Sequence, residues 1–170
     1  MELKGTPTKS EVIGVVIKKL DLKNDDVFLD VGSGSGAVSK EASKLVDRVI
    51  GMDSREKAVE LSRENCPDGE FIHGNAAEVI SKIDTVDKVF IGGTKNLSEF
   101  FPEIMDVISD RGKIIANTAR IEKAMEIKDL MEEENLYEET LIIQVSKSYE
   151  LAGGSAFKAI NPVFMVVGKC

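Results

Sequence analysis

Apolar residues recur along this chain in two rhythms, short unbroken runs and stretches with an apolar position every third or fourth residue, and the two alternate. Val12, Ile13, Val16, Ile17 and Leu20 share one face of a helix, and Thr8-Lys9-Ser10-Glu11 ahead of it has the spacing of a capping box. Residues 27–31 then read as a strand, 37–45 as a helix, 48–53 as a strand, and a helix starts near Ser54 with its last turn near Asn65, where Pro67 and Gly69 end it. Residues 70–73 form a short strand, 76–82 a helix, 88–91 a strand and 97–108 a helix. A turn at Asp110-Arg111-Gly112 leads to a strand over 113–117 and a charged amphipathic helix over 120–135. Runs that are apolar throughout are covered on both faces, so these strands belong to a parallel sheet flanked by helices. The tail breaks the rhythm. Residues 138–148 and 157–168 are two strand patterns whose connection, 149–155, is too short for a crossover helix, so they must pair antiparallel as a hairpin.

Chemistry enters where the first strand ends. Val27-Phe28-Leu29-Asp30-Val31 runs straight into Gly32-Ser33-Gly34-Ser35-Gly36, and alternate glycines let the backbone turn sharply and leave its N–H groups open to a close ligand. Gly32, Gly34 and Ala37 loosely satisfy the dinucleotide fingerprint G-x-G-x-x-A, so the loop alone is ambiguous. Asp30, two residues before the first glycine, is the usual form in class I methyltransferases and points to S-adenosylmethionine. The sheet agrees: five parallel strands with an antiparallel C-terminal hairpin is the Rossmann-like α/β sheet of those enzymes, not the six-stranded dinucleotide sheet. Asp53 closes the second strand about 20 residues beyond the loop, where a carboxylate reaches a ribose, or it caps the helix that follows. The strand ends gather 30–36, Asp53, 74–76, 92–96 and 117–120 around one crevice. There Asn75 and Ala76 either hold an adenine or, for Asn75, cap the helix at Ala76. Paired glycines Gly92-Gly93 clear space facing the transferable methyl group, and Gly93, Thr94 and Arg120 are the residues expected to face the substrate. His73, the only histidine, is given no role, and no catalytic residue is assigned.

Composition narrows the class. With 170 residues and 42% apolar side chains the chain suits a single domain over 1–170. No apolar run approaches a membrane span, and Met1-Glu2-Leu3-Lys4 lacks the apolar region of a signal peptide, so a cytoplasmic protein is expected. Cys66 and Cys170 lie far apart without C-x-x-C spacing, which indicates neither a disulfide framework nor a thiolate metal site. A net charge of −8, from 30 acidic and 22 basic side chains, disfavours a general nucleic-acid binder and favours a small-molecule substrate.

Over almost its full length the chain resembles the CbiT proteins of cobalamin biosynthesis. The resemblance is carried by Pro7-Thr8-Lys9-Ser10-Glu11-Val12, by the loop from Asp30 to Gly36, by Gly74-Asn75-Ala76-Ala77-Glu78, by Ile91-Gly92-Gly93 and by Asn161-Pro162-Val163. It implies a decarboxylating cobalt-precorrin-6B C15-methyltransferase that removes the C12 acetate carboxyl and gives cobalt-precorrin-7. It also implies S-adenosylmethionine contacts at Thr8, Gly32, Ser33, Gly34, Ser35, Gly36, Asp53 and Ala76, and a homotetramer. Two departures stand out: Ser33 replaces a frequent cysteine and Asn75 a common aspartate. The carboxylates of a tetrapyrrole would call on cations among Lys9, Lys95, Arg120, Lys147 and Lys158. Two other readings compete. An RNA (tRNA) methyltransferase is suggested by Asn161-Pro162, although its base-stacking loop normally follows the fourth strand. A noncatalytic scaffold is opposed by the intact Asp30, Gly32, Gly34 and Asp53.

Overall fold

The computed structural model describes residues 8–170; Met1-Glu2-Leu3-Lys4 and Pro7 of the first motif lie outside the described residues. Helix α1 (Ser10–Leu20) precedes strand β1 (Val27–Val31), and the order continues α2 (Ala37–Ala42), β2 (Arg48–Asp53), α3 (Glu56–Asn65), β3 (Glu70–His73), α4 (Ala76–Ile80), β4 (Val86–Ile91) and α5 (Leu97–Val107). Then come β5 (Ile108–Thr118), α6 (Ile121–Glu133), β6 (Tyr137–Ile143), β7 (Ser146–Leu151), β8 (Gly154–Ala159) and β9 (Val163–Lys169). A seven-stranded sheet has the order β3-β2-β1-β4-β5-β9-β6, and β7 and β8 pair separately as a hairpin. The first five strands run parallel, and β9 lies antiparallel between β5 and β6.

Alternation along each strand builds two cores at once. Phe28, Val49, Phe90, Ile115 and Met165 pack on the α1 and α2 side, while their neighbours Leu29, Ile50, Val89, Ile114 and Val166 pack toward α4, α5 and α6. Both sets are buried, which is why these strands read as continuous apolar runs. No helix among the described residues is long and apolar enough to cross a membrane.

Three local expectations are corrected. The capping box does not form: Lys9 occupies the cap position of α1 without a side-chain hydrogen bond, and Glu11 instead pairs with Lys147 of β7 at 2.6 Å. That hydrogen bond holds the Glu11 carboxyl down to about 2. The turn at 110–112 lies inside a longer strand, because Val86 pairs with Ile108 and the next matched pair is Lys88 with Lys113. Asp87 gathers the extra residues, accepting from Ser109 Oγ at 2.8 Å and Arg111 Nε at 3.2 Å while its other oxygen accepts the Val27 N–H at 3.0 Å. In the tail, the predicted pairing is present but each strand is split in two. Most of 149–155 is strand, with the reversal confined to Ala152 and Gly153, both at positive φ.

Candidate active site

The glycine loop leaves β1 with Gly32, Gly34 and Gly36 all in the left-handed region, at φ 78, 59 and 70°. The need for glycine is sharpest at Gly32, where a Cβ would stand 2.7 Å from the backbone N of Gly93. The Gly92-Gly93 pair therefore serves close backbone approach. The N–H groups of Gly92 and Gly93 both donate to the Val31 carbonyl, at 2.9 and 3.2 Å, and those of Gly32 and Ser33 both donate to the Met52 carbonyl at 2.9 Å. The three strand ends are thereby locked into one rigid rim.

Behind the loop, serines hold it to the helices. Ser33 Oγ lies 3.1 Å from Ser62 Oγ, and Asn65 Nδ2 donates to the Ser35 carbonyl at 2.9 Å. A Cβ on Gly36 would stand 2.9 Å from Ser62 Cα, so α3 presses directly on the loop. Asp30, 1% exposed, accepts from Ser39 Oγ of α2 on one oxygen, while its other oxygen has no partner. Burial pushes its carboxyl up to about 7, against the lowering effect of the Ser39 hydrogen bonds.

Asp53, buried at the end of β2, makes four hydrogen bonds within its own chain. Oδ1 accepts from Arg55 N at 3.0 Å and Arg55 Nε at 2.9 Å; Oδ2 accepts from Gly34 N at 3.0 Å and from the second guanidinium nitrogen at 2.8 Å. Burial alone would raise this carboxyl, but the Arg55 and Gly34 hydrogen bonds hold it below its usual range. Asp53 thus clasps the glycine loop and is not the N-cap of α3, which is Arg55. Asn75 is a true cap: its Oδ1 accepts the Ala77 N–H at 2.9 Å, leaving the amide nitrogen for another partner. His73 Nε2 lies 3.2 Å from the Ser54 carbonyl.

A cavity of about 560 Å³ opens beyond the β1, β2 and β4 ends, lined by Gly32, Asp53, Arg55, Asn75, Ala76, Gly93 and Arg120 among others. Its position at the strand ends of a doubly wound sheet and its cradle of loop, carboxylate and α4 terminus fit a nucleoside-bearing cofactor. Of the expected cofactor residues, Gly32, Asp53, Asn75 and Ala76 reach it; Ser33, Gly34, Ser35 and Gly36 do not line it but shape the loop behind. Thr8 is elsewhere. It lines a second cavity of about 310 Å³, together with Lys9, Val12, Asn117, Ile143, Val145 and Pro162. Gly92 and Thr94 line both cavities, so the two adjoin there. Arg120, expected toward the substrate, lines the first cavity, as does Lys95. Lys147 is engaged by Glu11, and Lys158 sits opposite Lys147 in the β7–β8 hairpin.

Sequence reasoning placed 92–96 and 117–120 at the crevice but missed the other walls of the second cavity. They come from the start of α1 and from the bends β6–β7 and β8–β9, which are far apart in sequence, and only the chance of tertiary pairing brings them together. The signal present was the match at both ends of the chain, residues 8–12 and 161–163.

Residues 2–168 match the model of a family described as the precorrin methyltransferase domain. A relative from Archaeoglobus fulgidus, named "Probable cobalt-precorrin-6B C(15)-methyltransferase (decarboxylating)", is 38% identical over 97% of this chain and 98% of its own length. Among solved structures, a precorrin-6Y C5,15-methyltransferase from Geobacter metallireducens superposes with a TM-score of 0.92 at 26% identity, covering 100% of this chain and 94% of that one. A precorrin 8W decarboxylase from Methanobacterium thermoautotrophicum gives 0.90 at 24% identity, covering 98% and 93%, and shows the fold alone. The sheet, the glycine loop and these full-length matches agree on a class I methyltransferase fold, and the chain belongs to the precorrin methyltransferase domain family.

Proposed function

We propose that this protein is an S-adenosylmethionine-dependent C-methyltransferase that methylates C15 of cobalt-precorrin-6B and removes the C12 acetate carboxyl as carbon dioxide, giving cobalt-precorrin-7. The observation that carries this reading is the pair of adjoining cavities, one at the glycine loop and one walled by both ends of the described chain, in a member of the precorrin methyltransferase domain family. S-adenosylmethionine, when bound, supplies a methyl group on a sulfonium. The chain's part is placement. Gly32, Asp53, Asn75 and Ala76 hold the cofactor in the first cavity, and the loop carrying Ser33, Gly34, Ser35 and Gly36 fixes its shape. Gly92 and Thr94 stand at the junction through which a methyl group passes to the acceptor, Gly92 keeps that junction free of a side chain, and Gly93 lines the cofactor side of it.

Methyl transfer from a sulfonium to carbon disperses charge, so alignment in a site shielded from water supplies most of the acceleration and little acid–base chemistry is needed. Loss of carbon dioxide breaks the bond between the acetate methylene and its carboxyl. The electron pair passes into the conjugated ring, and the methylene gains a proton from solvent to become a methyl group. The second cavity, at the small end of the range for ligand sites, takes an edge of a macrocycle and not the whole ring. Among the described residues Lys9 is the charged one in its lining and offers a counterion for a substrate carboxylate. A homotetramer is consistent with the exposed apolar side chains Ile142, Leu151 and Phe157 on the tail strands.

The test is a mass-spectrometric assay of the purified protein with S-adenosylmethionine and cobalt-precorrin-6B, scoring methyl gain and carboxyl loss separately. Both changes are expected. An unchanged tetrapyrrole beside tight cofactor binding would overturn the substrate assignment.

A further inference from the structure

Asn117 follows Ala116, the last residue of β5 matched to β4, and is 8% exposed, yet neither its Oδ1 nor its Nδ2 has a hydrogen-bond partner. Among the described residues it is the side chain with both polar atoms buried and unpaired. Buried amides are almost always satisfied, because water is lost and nothing replaces it. Its neighbours along the strand, Ile115 and Ala116, are fully buried and apolar, so a leucine or valine here would continue the apolar run. The chain instead spends a polar group on the wall of the second cavity, next to the junction residues Gly92 and Thr94.

Resting on the functional reading above, we propose that Asn117 is a substrate-binding residue whose amide holds a carboxyl group of the tetrapyrrole in the second cavity. The cavity's remaining wall is largely aliphatic, from Val12, Ala119, Ile143, Val145, Ile160 and Val163. Nδ2 is closed off from the cavity in the free protein, so a carboxylate gains it as a donor when the side chain turns outward from a backbone that β9 holds at Met165. Lys9 lies on a different element, at the cap of α1, and supplies charge without fixing orientation. Asn117 thus sets which carboxyl-bearing edge of the ring faces Gly92 and Thr94, and it neither gives nor takes a proton. The orphaned state belongs to the protein without substrate.

This assignment separates stability from activity. Asn117→Leu removes two unpaired polar atoms at similar volume, so its thermal midpoint should equal or exceed that of the parent, and calorimetry should show S-adenosylmethionine affinity within about twofold. The same variant should lose about 10- to 100-fold in kcat/KM for cobalt-precorrin-6B, mainly through KM. Asn117→Asp keeps size and places a like charge against the substrate carboxylate; its loss should be larger, and it serves as the second reading if the leucine variant does not fold. A parent enzyme that turns over the tetrapyrrole beside variants with unchanged kcat/KM would overturn the role of Asn117 alone. Activity lost together with cofactor affinity or with folding in both variants would also overturn it, in favour of a structural role. A parent enzyme inert toward the tetrapyrrole would overturn the functional reading and this inference with it.

Discussion

Asp30 offers a sharp test of the physics at the loop. It is 1% exposed, one of its oxygens has no partner, and its carboxyl is pushed from 3.8 up to about 7 by burial, helped by the nearby charge of Asp53 and opposed by Ser39. The unfolded chain releases this proton near pH 4, whereas the folded chain keeps it until about pH 7. Between those values the folded state binds more protons than the unfolded one, so stability falls as pH rises, and the loss is complete above pH 7. The gap between the two values corresponds to about 4 kcal/mol at most. Asp30→Asn carries no charge at any pH and escapes the loss. Its own cost, an amide group facing the place where Oδ1 now stands unpaired, is the same at every pH and drops out of the comparison. Urea unfolding of both proteins from pH 5.5 to 8.5 stays clear of the isoelectric point near 4.8, where solubility is poorest. The stability of the asparagine variant relative to the parent should grow by about 2 kcal/mol across that range and then level off. Parallel curves would mean that Asp30 is ionised throughout, and would refute the claim that desolvation outweighs the Ser39 hydrogen bonds.

Four further outcomes follow from the same geometry. Gly32→Ala should destabilise the fold by about 3 kcal/mol or more in urea titration, since its Cβ meets the Gly93 backbone at 2.7 Å. Gly34→Ala should lose only about 1–2 kcal/mol, the penalty of its positive φ, because its nearest new contacts are at 3.9 Å; equal losses at the two positions would sink the close-approach account. Arg55→Ala should tighten S-adenosylmethionine binding by up to about fivefold in calorimetry, because the Arg55 fork occupies both oxygens of Asp53 that a ribose would use; weaker binding would show that Arg55 itself holds the cofactor. Arg120→Ala should weaken cofactor binding by up to about fivefold and leave the tetrapyrrole KM unchanged, in keeping with its place in the first cavity, and the reverse pattern would return it to the substrate side.

The parallel half of the molecule was legible because its rules are local. Runs such as Val27–Val31 and Arg48–Asp53 announce strands covered on both faces, and three glycines that all take positive φ announce the turn. What failed were signals that a tertiary contact can overrule. Glu11 has the spacing of a capping partner, but Lys147 takes it; Asp110-Arg111-Gly112 has the composition of a turn, but Asp87 and the β4 register draw it into β5. Asp53 was readable as a ribose ligand or a helix cap, and neither reading foresaw that Gly34 and Arg55 already fill its oxygens.

The site divides along the same line. The first cavity is made of strand ends that one topology rule brings together, and Gly32, Asp53, Asn75 and Ala76, expected at the crevice from that rule, from spacing and from the resemblance, are in its lining. The second needs β9 to slot between β5 and β6, which puts Met165 beside Asn117 and folds the bends at Val145 and Ile160 over the start of α1. The Ile160 N–H donates to the Val145 carbonyl at 2.8 Å, and the Glu11–Lys147 pair ties the same hairpin to the helix. The antiparallel tail therefore does more than finish the sheet. By closing over Thr8, Lys9 and Val12 it converts an open edge beside the cofactor cavity into a pocket, with Asn117, its amide buried and unpaired, in the wall.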